Sequence, residues 1–178
     1  MQNTIPLSAE FYAQPVVEVA QALLGKKLIF GEQAGIITET EAYRGADDPA
    51  SHAFRGKTKR TSIMFGPPGF SYVYLIYGMY YCLNIVTGVE GQASGVLLRG
   101  LLLPTVHLDG PGKLCKYLGI TKEHNAYNLT QDTKFCVTAG SQLSLRYQST
   151  PRIGIKKATD KLWRFVIDKE YLDFSLHA

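Results

Sequence analysis

Residues 26–43 read KKLIFGEQAGIITETEAY, two β-prone runs, Lys26–Phe30 and Ile36–Tyr43, on either side of the turn-like GEQAG. Strand-forming runs bounded by glycine predict a hairpin. Further on, residues 70–86 read FSYVYLIYGMYYCLNIV. Tyr72–Ile76 and Met79–Thr87 are rich in aromatic and β-branched residues, and Tyr77-Gly78 separates them. This predicts a second hairpin with Tyr77 near its tip. Val96–Leu103 reads as a buried strand, and strands are expected near Gln142–Tyr147, Arg152–Lys156 and Leu162–Asp168. Helical signals are sparser. Pro15–Leu24 has Pro15 at N1, apolar residues at Val16, Val19, Ala20, Leu23 and Leu24, and Gly25 as a stop; Gly112–Leu118 is short and ends at Gly119. Strands and helices mix without a βαβ rhythm. The expected class is α+β: a single domain over residues 1–178, a largely antiparallel curved β-sheet with flanking helices and a protruding β-hairpin.

Composition narrows the function classes. With 178 residues, 46% apolar and 19% charged, the chain can bury a core and is not disordered. Nineteen Lys+Arg against fifteen Asp+Glu give a net charge of +4, and a pI of 8.9 permits a polyanion partner without demanding one. Cys82, Cys115 and Cys136 are too few and too scattered for a disulfide framework or a zinc knuckle, which points to a reducing compartment. The Phe70–Val86 run is short of the ~20 residues a membrane-spanning helix needs, and it carries five tyrosines. A cytosolic protein is expected, or a nuclear one in a eukaryote.

Several residues could carry chemistry. Period-2 alternation along Ile36–Tyr43 puts Ile37, Glu39, Glu41 and Tyr43 on one face, and Ile36, Thr38, Thr40 and Ala42 on the other. Either glutamate could act as a general acid or base, or the face could simply be solvated. The stretch 46–69 has no period and holds Asp47, Asp48 and His52. The other histidines are scattered and no ligand spacing occurs, so no metal and no cofactor are expected. Arg55, Lys57, Lys59 and Arg60 place four cations within six residues, a cluster suited to backbone phosphates or merely to water. A tyrosine at a hairpin tip is outside any core and can push into a base stack, while other tyrosines offer faces for a flat base. Asn84 lies in an apolar run, where an amide needs partners from the protein or from a ligand.

Taken together, LLGKKLI, GIITETEAYRGADDPASHAFRGKT, MFGPPGFSYVYLIYGMYYCLNIV, GVLLRG and GPGKLC, with PRIGI and LWRF near the end, resemble the alkyladenine (3-methylpurine) DNA glycosylase family. The matching segments run from residue 23 to 165. The resemblance implies a base-excision-repair enzyme that flips alkylated or deaminated purines out of duplex DNA and hydrolyses the N-glycosidic bond without cutting the strand. It implies Glu41 as the catalytic base, Arg99 as its water-positioning partner, and Tyr43, His52 and Tyr74 as base-stacking positions. Asn84 would be the pocket amide that excludes guanine's exocyclic amine, and Tyr77 the intercalating wedge. Arg55, Lys57, Lys59 and Arg60 would meet DNA phosphates. The expected partner is double-stranded DNA containing damaged purines, engaged by a monomer away from any membrane. An alternative is a non-catalytic module for damaged or bent DNA, which would keep Tyr77 and the basic loop without needing Glu41. A carbohydrate glycosidase built on Glu39 and Glu41 fails, because both acids stand on one strand face with none across a cleft.

Overall fold

The computed structural model describes residues 4–140, 145–168, 170 and 172. After a one-turn helix α1 (Ala9–Tyr12), helix α2 (Val16–Ala22) leads into β1 (Lys27–Phe30) and the long β2 (Gln33–Arg44). A segment of turns and one 3-10 helix (Ser62–Phe65) precedes β3 (Ser71–Ile76) and β4 (Tyr80–Val86). Then follow β5 (Ser94–Leu103), β6 (Val106–Asp109), α3 (Pro111–Leu118), a 3-10 helix (Lys122–His124), β7 (Phe135–Thr138), β8 (Tyr147–Thr150) and β9 (Arg164–Ile167).

All the strands join one nine-stranded sheet, ordered β3-β4-β5-β2-β1-β7, with β6 on β5 and β9 joining β2 to β8. Every pairing is antiparallel. β2 is the hub. One edge pairs with β5 along most of its length, while the other pairs with β1 through residues 33–36 and with β9 through residues 39–41. A strand that changes partners halfway makes the sheet curl. The α+β class with a curved antiparallel sheet therefore holds.

The core fills the curl. Val16, Val19, Ala20 and Leu23 of the α2 region bury with Ile37, Leu98 and Leu101, and Thr40 donates to the Ala20 carbonyl at 2.8 Å. A smaller cluster of Ala53, Met64, Tyr72, Val86 and Ala93 lies under the 46–69 segment, which is why a stretch without periodicity is nevertheless ordered.

Three sequence expectations need correction. Pro15 is the N-cap of α2 rather than its N1 residue. Residues 152–156 form turns and not a strand; Arg152 there is buried by an ion pair, which a strand pattern cannot signal. Ile37 is not on the glutamate face, since it is packed in the core cluster with Ala42. The reason is a pair of register shifts between β2 and β5 at Ile37/Glu39 and Glu39/Thr40; a slipped residue reverses the inside–outside alternation. The strand expected near Gln142–Tyr147 falls partly outside the described residues. Its counterpart begins at Tyr147. The alternation alone also missed β6 and β7, four residues each.

Gly100 faces the shifted register. A Cβ there would meet the Glu39 Cβ at 2.9 Å and the Glu39 amide nitrogen at 3.1 Å. Gly100→Ala should therefore cost about 1–3 kcal/mol as an overpacking change, read as a lower denaturant midpoint at unchanged m-value. An unaltered midpoint would mean that β2 and β5 can part there freely.

Candidate active site

The register shifts turn Glu39, Glu41 and Tyr43 away from α2. The Glu41 side chain is fully buried, and Glu39 is nearly so. A solvated acidic face is thus excluded. Around Glu41 three donors converge: the Ile153 backbone N–H reaches Oε1 at 2.7 Å, the Tyr43 hydroxyl reaches Oε2 at 2.7 Å, and Arg99 Nε lies 3.5 Å from Oε1. Arg99 donates more closely to Glu39 Oε1, at 2.8 Å, and Arg164 Nε donates to the same oxygen at 2.6 Å. Glu39 therefore fixes both arginines, one of which stands over Glu41.

Two opposing effects set the state of Glu41. Burial pushes its carboxyl above the ordinary range, while Arg99, the Ile153 N–H and the Tyr43 hydroxyl pull it back. Burial comes out ahead, so the group is a more proton-avid base than an exposed glutamate. Burial, and next the Glu41 charge, raise the Tyr43 phenol, which keeps that hydroxyl a donor.

Beside this cluster opens a cavity of about 600 Å³. Tyr43, His52, Tyr74, Tyr77, Asn84 and Arg99 all line it, although they come from four separate segments. Glu41 lies immediately behind, and each of its three partners is part of the cavity wall. Asn84 is buried and donates to the Tyr72 carbonyl at 3.1 Å. His52 shares a 3.3 Å hydrogen bond between Nδ1 and the Tyr72 hydroxyl, and its ring meets Tyr74 edge-on at 4.6 Å. Partial desolvation among these rings, and then the nearby Arg60, hold its pKa below the usual histidine range.

A ring sandwiched at van der Waals contact needs walls roughly 7 Å apart. His52 and Tyr74, both expected as base-stacking positions, are closer than that at 4.6 Å, so in this arrangement no ring fits between them. Any ligand stacked there requires the His52 ring to swing aside.

The hairpin tip and the basic loop diverge in character. Tyr77 is 82% exposed and adopts φ 54° next to Gly78 at φ 70°. A bulky residue in that region is uncommon and costs of the order of 1–2 kcal/mol. Leu75 and Met79 are exposed beside it. Arg55, Lys57 and Lys59 are exposed and outside the cavity wall, with no ion pair among the described residues. Arg60 departs from its neighbours. Its guanidinium lies over the Tyr74 ring, 5.1 Å from the centroid, rather than standing out with the rest of the loop.

Sequence reasoning missed the anchors. Asp48 is fully buried and holds Arg152 through both carboxylate oxygens, at 2.6 and 2.8 Å. Arg152 also donates to the Ala42 carbonyl at 2.9 Å and stacks on Tyr43 at 4.6 Å. That pair ties the 46–69 segment to residues 151–154 and so presents the Ile153 N–H to Glu41. Arg164 adds a second tie by donating to Thr150 Oγ1 at 3.1 Å. The sequence neighbourhoods of Asp48 and Arg152, GADDPASH and STPRIGIKK, carry no signal of this pairing. Among the described residues no three His, Cys, Asp or Glu side chains are grouped so as to hold a metal ion, and no helix is long and apolar enough to cross a membrane.

Comparison with known proteins agrees with the motif reading. Residues 10–171 match the family model described as methylpurine-DNA glycosylase. Among curated relatives, one from Ehrlichia chaffeensis is 58% identical over 166 residues, covering 90% of this chain and 92% of its own. One from Rickettsia conorii is 55% identical over 170 residues, covering 94% and 92%. A third, from a Wolbachia of Brugia malayi, is 58% identical over 170 residues, covering 94% and 99%. All three bear a provisional 3-methyladenine DNA glycosylase name. A match over nine-tenths of the chain means that the protein belongs to the methylpurine-DNA glycosylase family.

Proposed function

We propose that this chain, acting as one domain, rotates alkylated or deaminated purine nucleotides out of duplex DNA and hydrolyses the bond between base and sugar, leaving an abasic site. The observation that carries the reading is the buried Glu41 carboxylate, whose three hydrogen-bonding or charged partners all border one cavity with room for a purine. Breaking an N-glycosidic bond develops positive charge on the sugar. An ionised Glu41 stabilises that charge and takes a proton from the water that attacks C1′. Arg99, shared between Glu39 and Glu41, holds the carboxylate in place and helps to keep it ionised.

The remaining residues serve extrusion and recognition. A base inside the duplex cannot be reached, so its nucleotide is flipped, a role in which glycosylases are a named class. Tyr77 fills the vacated stack, offsetting a few kcal/mol of unstacking. The purine lies against Tyr74 and Tyr43, with His52 moved from its present contact, and Asn84 meets the purine edge. A guanine amine there would find neither room nor partner. Arg55, Lys57 and Lys59 hold the backbone by charge. Among the described residues no lysine contacts Glu41, whose partners are Tyr43, Ile153 and Arg99; Lys156 and Lys157 reach only the cavity wall, and with water rather than an amine as the nucleophile the strand is left intact.

Glu41→Gln should lower single-turnover release of hypoxanthine or 3-methyladenine from a duplex by about 10²–10⁴-fold. Equal release by the variant would remove Glu41 from the chemistry, and binding without release by either protein would favour a non-catalytic damage-recognition module. Because burial raises the Glu41 pKa and the base must be ionised, activity should rise with pH through a value above the ~4.3 of a free glutamate. That acid limb should be absent from the residual rate of the glutamine variant; a limb at the ordinary value would contradict the assignment.

Tyr77→Ala should weaken binding to a lesion-bearing duplex by about tenfold, the scale of one lost base–aromatic stack, and leave binding to the same lesion on a single strand nearly unchanged. Equal losses on both substrates would rule out a wedge. Replacing Lys57 and Lys59 by alanine should flatten the log–log salt slope of duplex binding by about two units, near 0.9 per phosphate contact. An unaltered slope would leave the loop merely solvated.

A further inference from the structure

Both tyrosines of the cavity wall that are read above as base platforms carry a guanidinium against their rings. Arg152 lies 4.6 Å from the Tyr43 centroid, and Arg60 lies 5.1 Å from that of Tyr74. The tyrosines border the cavity, whereas neither arginine does. The cations thus touch the rings without themselves bordering the cavity. They differ in compensation. Arg152 is neutralised by a bidentate pair with Asp48, but Arg60 is exposed and has no carboxylate partner among the described residues. Its charge reaches the neighbouring groups: after burial, and in the same direction, it disfavours protonation of His52, and it favours ionisation of Tyr72 and Tyr74 against the larger effect of burial.

We propose that Arg60 is a specificity-determining residue that weights the slot against positively charged lesions and toward neutral ones; this rests on the glycosylase reading above. The attraction of a cation to an aromatic face comes from the ring quadrupole. A guanidinium already seated on Tyr74 draws on that same quadrupole. It also sets a like charge at about one Debye length, ~8 Å at physiological salt, from whatever stacks across the ring. A purine methylated at N3 or N7 is a cation while it remains attached to its sugar, and loses on both counts. Hypoxanthine is neutral and loses on neither. Lys156 and Lys157 at the cavity wall are also exposed and without an ion-pair partner among the described residues, so they add charge of the same sign. The basic loop thus divides its labour: Arg55, Lys57 and Lys59 face solvent, while Arg60 is turned onto the base platform.

The test compares single-turnover release of 3-methyladenine and of hypoxanthine from the same duplex sequence by wild type, Arg60→Gln and Arg60→Lys. The glutamine variant should raise the ratio of cationic to neutral release by about three- to tenfold, the scale of one partly screened charge at this range. The lysine variant keeps the charge and should keep the ratio within about twofold of wild type. If Arg60→Gln lowers both rates together, the residue is a phosphate contact or loop anchor and the proposal is overturned. Should wild type release neither base, the glycosylase reading fails instead. The ratio of affinities for the two duplexes then decides the matter for Arg60, and an unmoved ratio overturns it.

Discussion

A carboxylate with no exposure to water stays charged only if the protein supplies what water would have supplied. Everything around Glu41 serves that requirement. One N–H, one phenol and one guanidinium replace the lost hydration, yet they do not fully cancel the cost of burial, since the group remains a stronger base than usual. That residue of instability is useful. A fully satisfied carboxylate would have little tendency to take a proton from water, and an unsupported one would be neutral throughout the physiological range. The intermediate state is the one in which a glutamate can both balance a developing cation and act as a base.

The three donors are far apart in sequence, so the fold must bring them to one point and hold them there. Arg99 arrives on β5, paired to β2 across the register shifts. Ile153 arrives on a turn with no strand pairing of its own, and it is fixed by the residues just before it: Thr150 through Arg164, and Arg152 through Asp48. A buried ion pair is weak support for stability as such, because desolvation offsets most of its attraction. Its value here is geometric. Loss of Asp48 would leave an unpaired guanidinium under Tyr43, and the Ile153 N–H would no longer be aimed at Glu41.

The sequence revealed what depends on local pattern and concealed what depends on distant pairing. Hairpin β3–β4 and its Tyr77 tip were legible because aromatic and β-branched runs flank a single Tyr-Gly. α3 was legible from its apolar spacing and Gly119, which takes the left-handed conformation that ends a helix. Alternation alone grouped Glu39, Glu41 and Tyr43 on one face, and motif resemblance added Arg99 as a partner. Simple alternation put Ile37 on the wrong face, because the register shifts that reverse the strand arise from how β2 meets Gly100 on β5. Arg152 was invisible for the same reason: its partner lies 104 residues away, and a run of PRIGI suggests a strand until Asp48 is seen to claim the arginine.

The same distinction explains the basic loop. Four cations in six residues look equivalent in a sequence, and a phosphate-binding cluster is the natural reading of all of them. The fold separates them by what lies underneath. Tyr72 and Tyr74 are adjacent on one face of β3, with their rings 5.4 Å apart, and Met64 and Ala53 pack the segment onto them. Threonines at 58 and 61 bind one another and the Gly56 carbonyl, closing a compact turn just before that packing. Arg60 lies inside this closed turn and its side chain is directed to the ring, whereas Lys57 and Lys59 flank Thr58 and point to water. In this arrangement the Arg60 charge rests on an aromatic platform rather than standing out with its neighbours. Its remaining influence is on whatever shares that ring, which under the proposed reading is the base rather than the backbone.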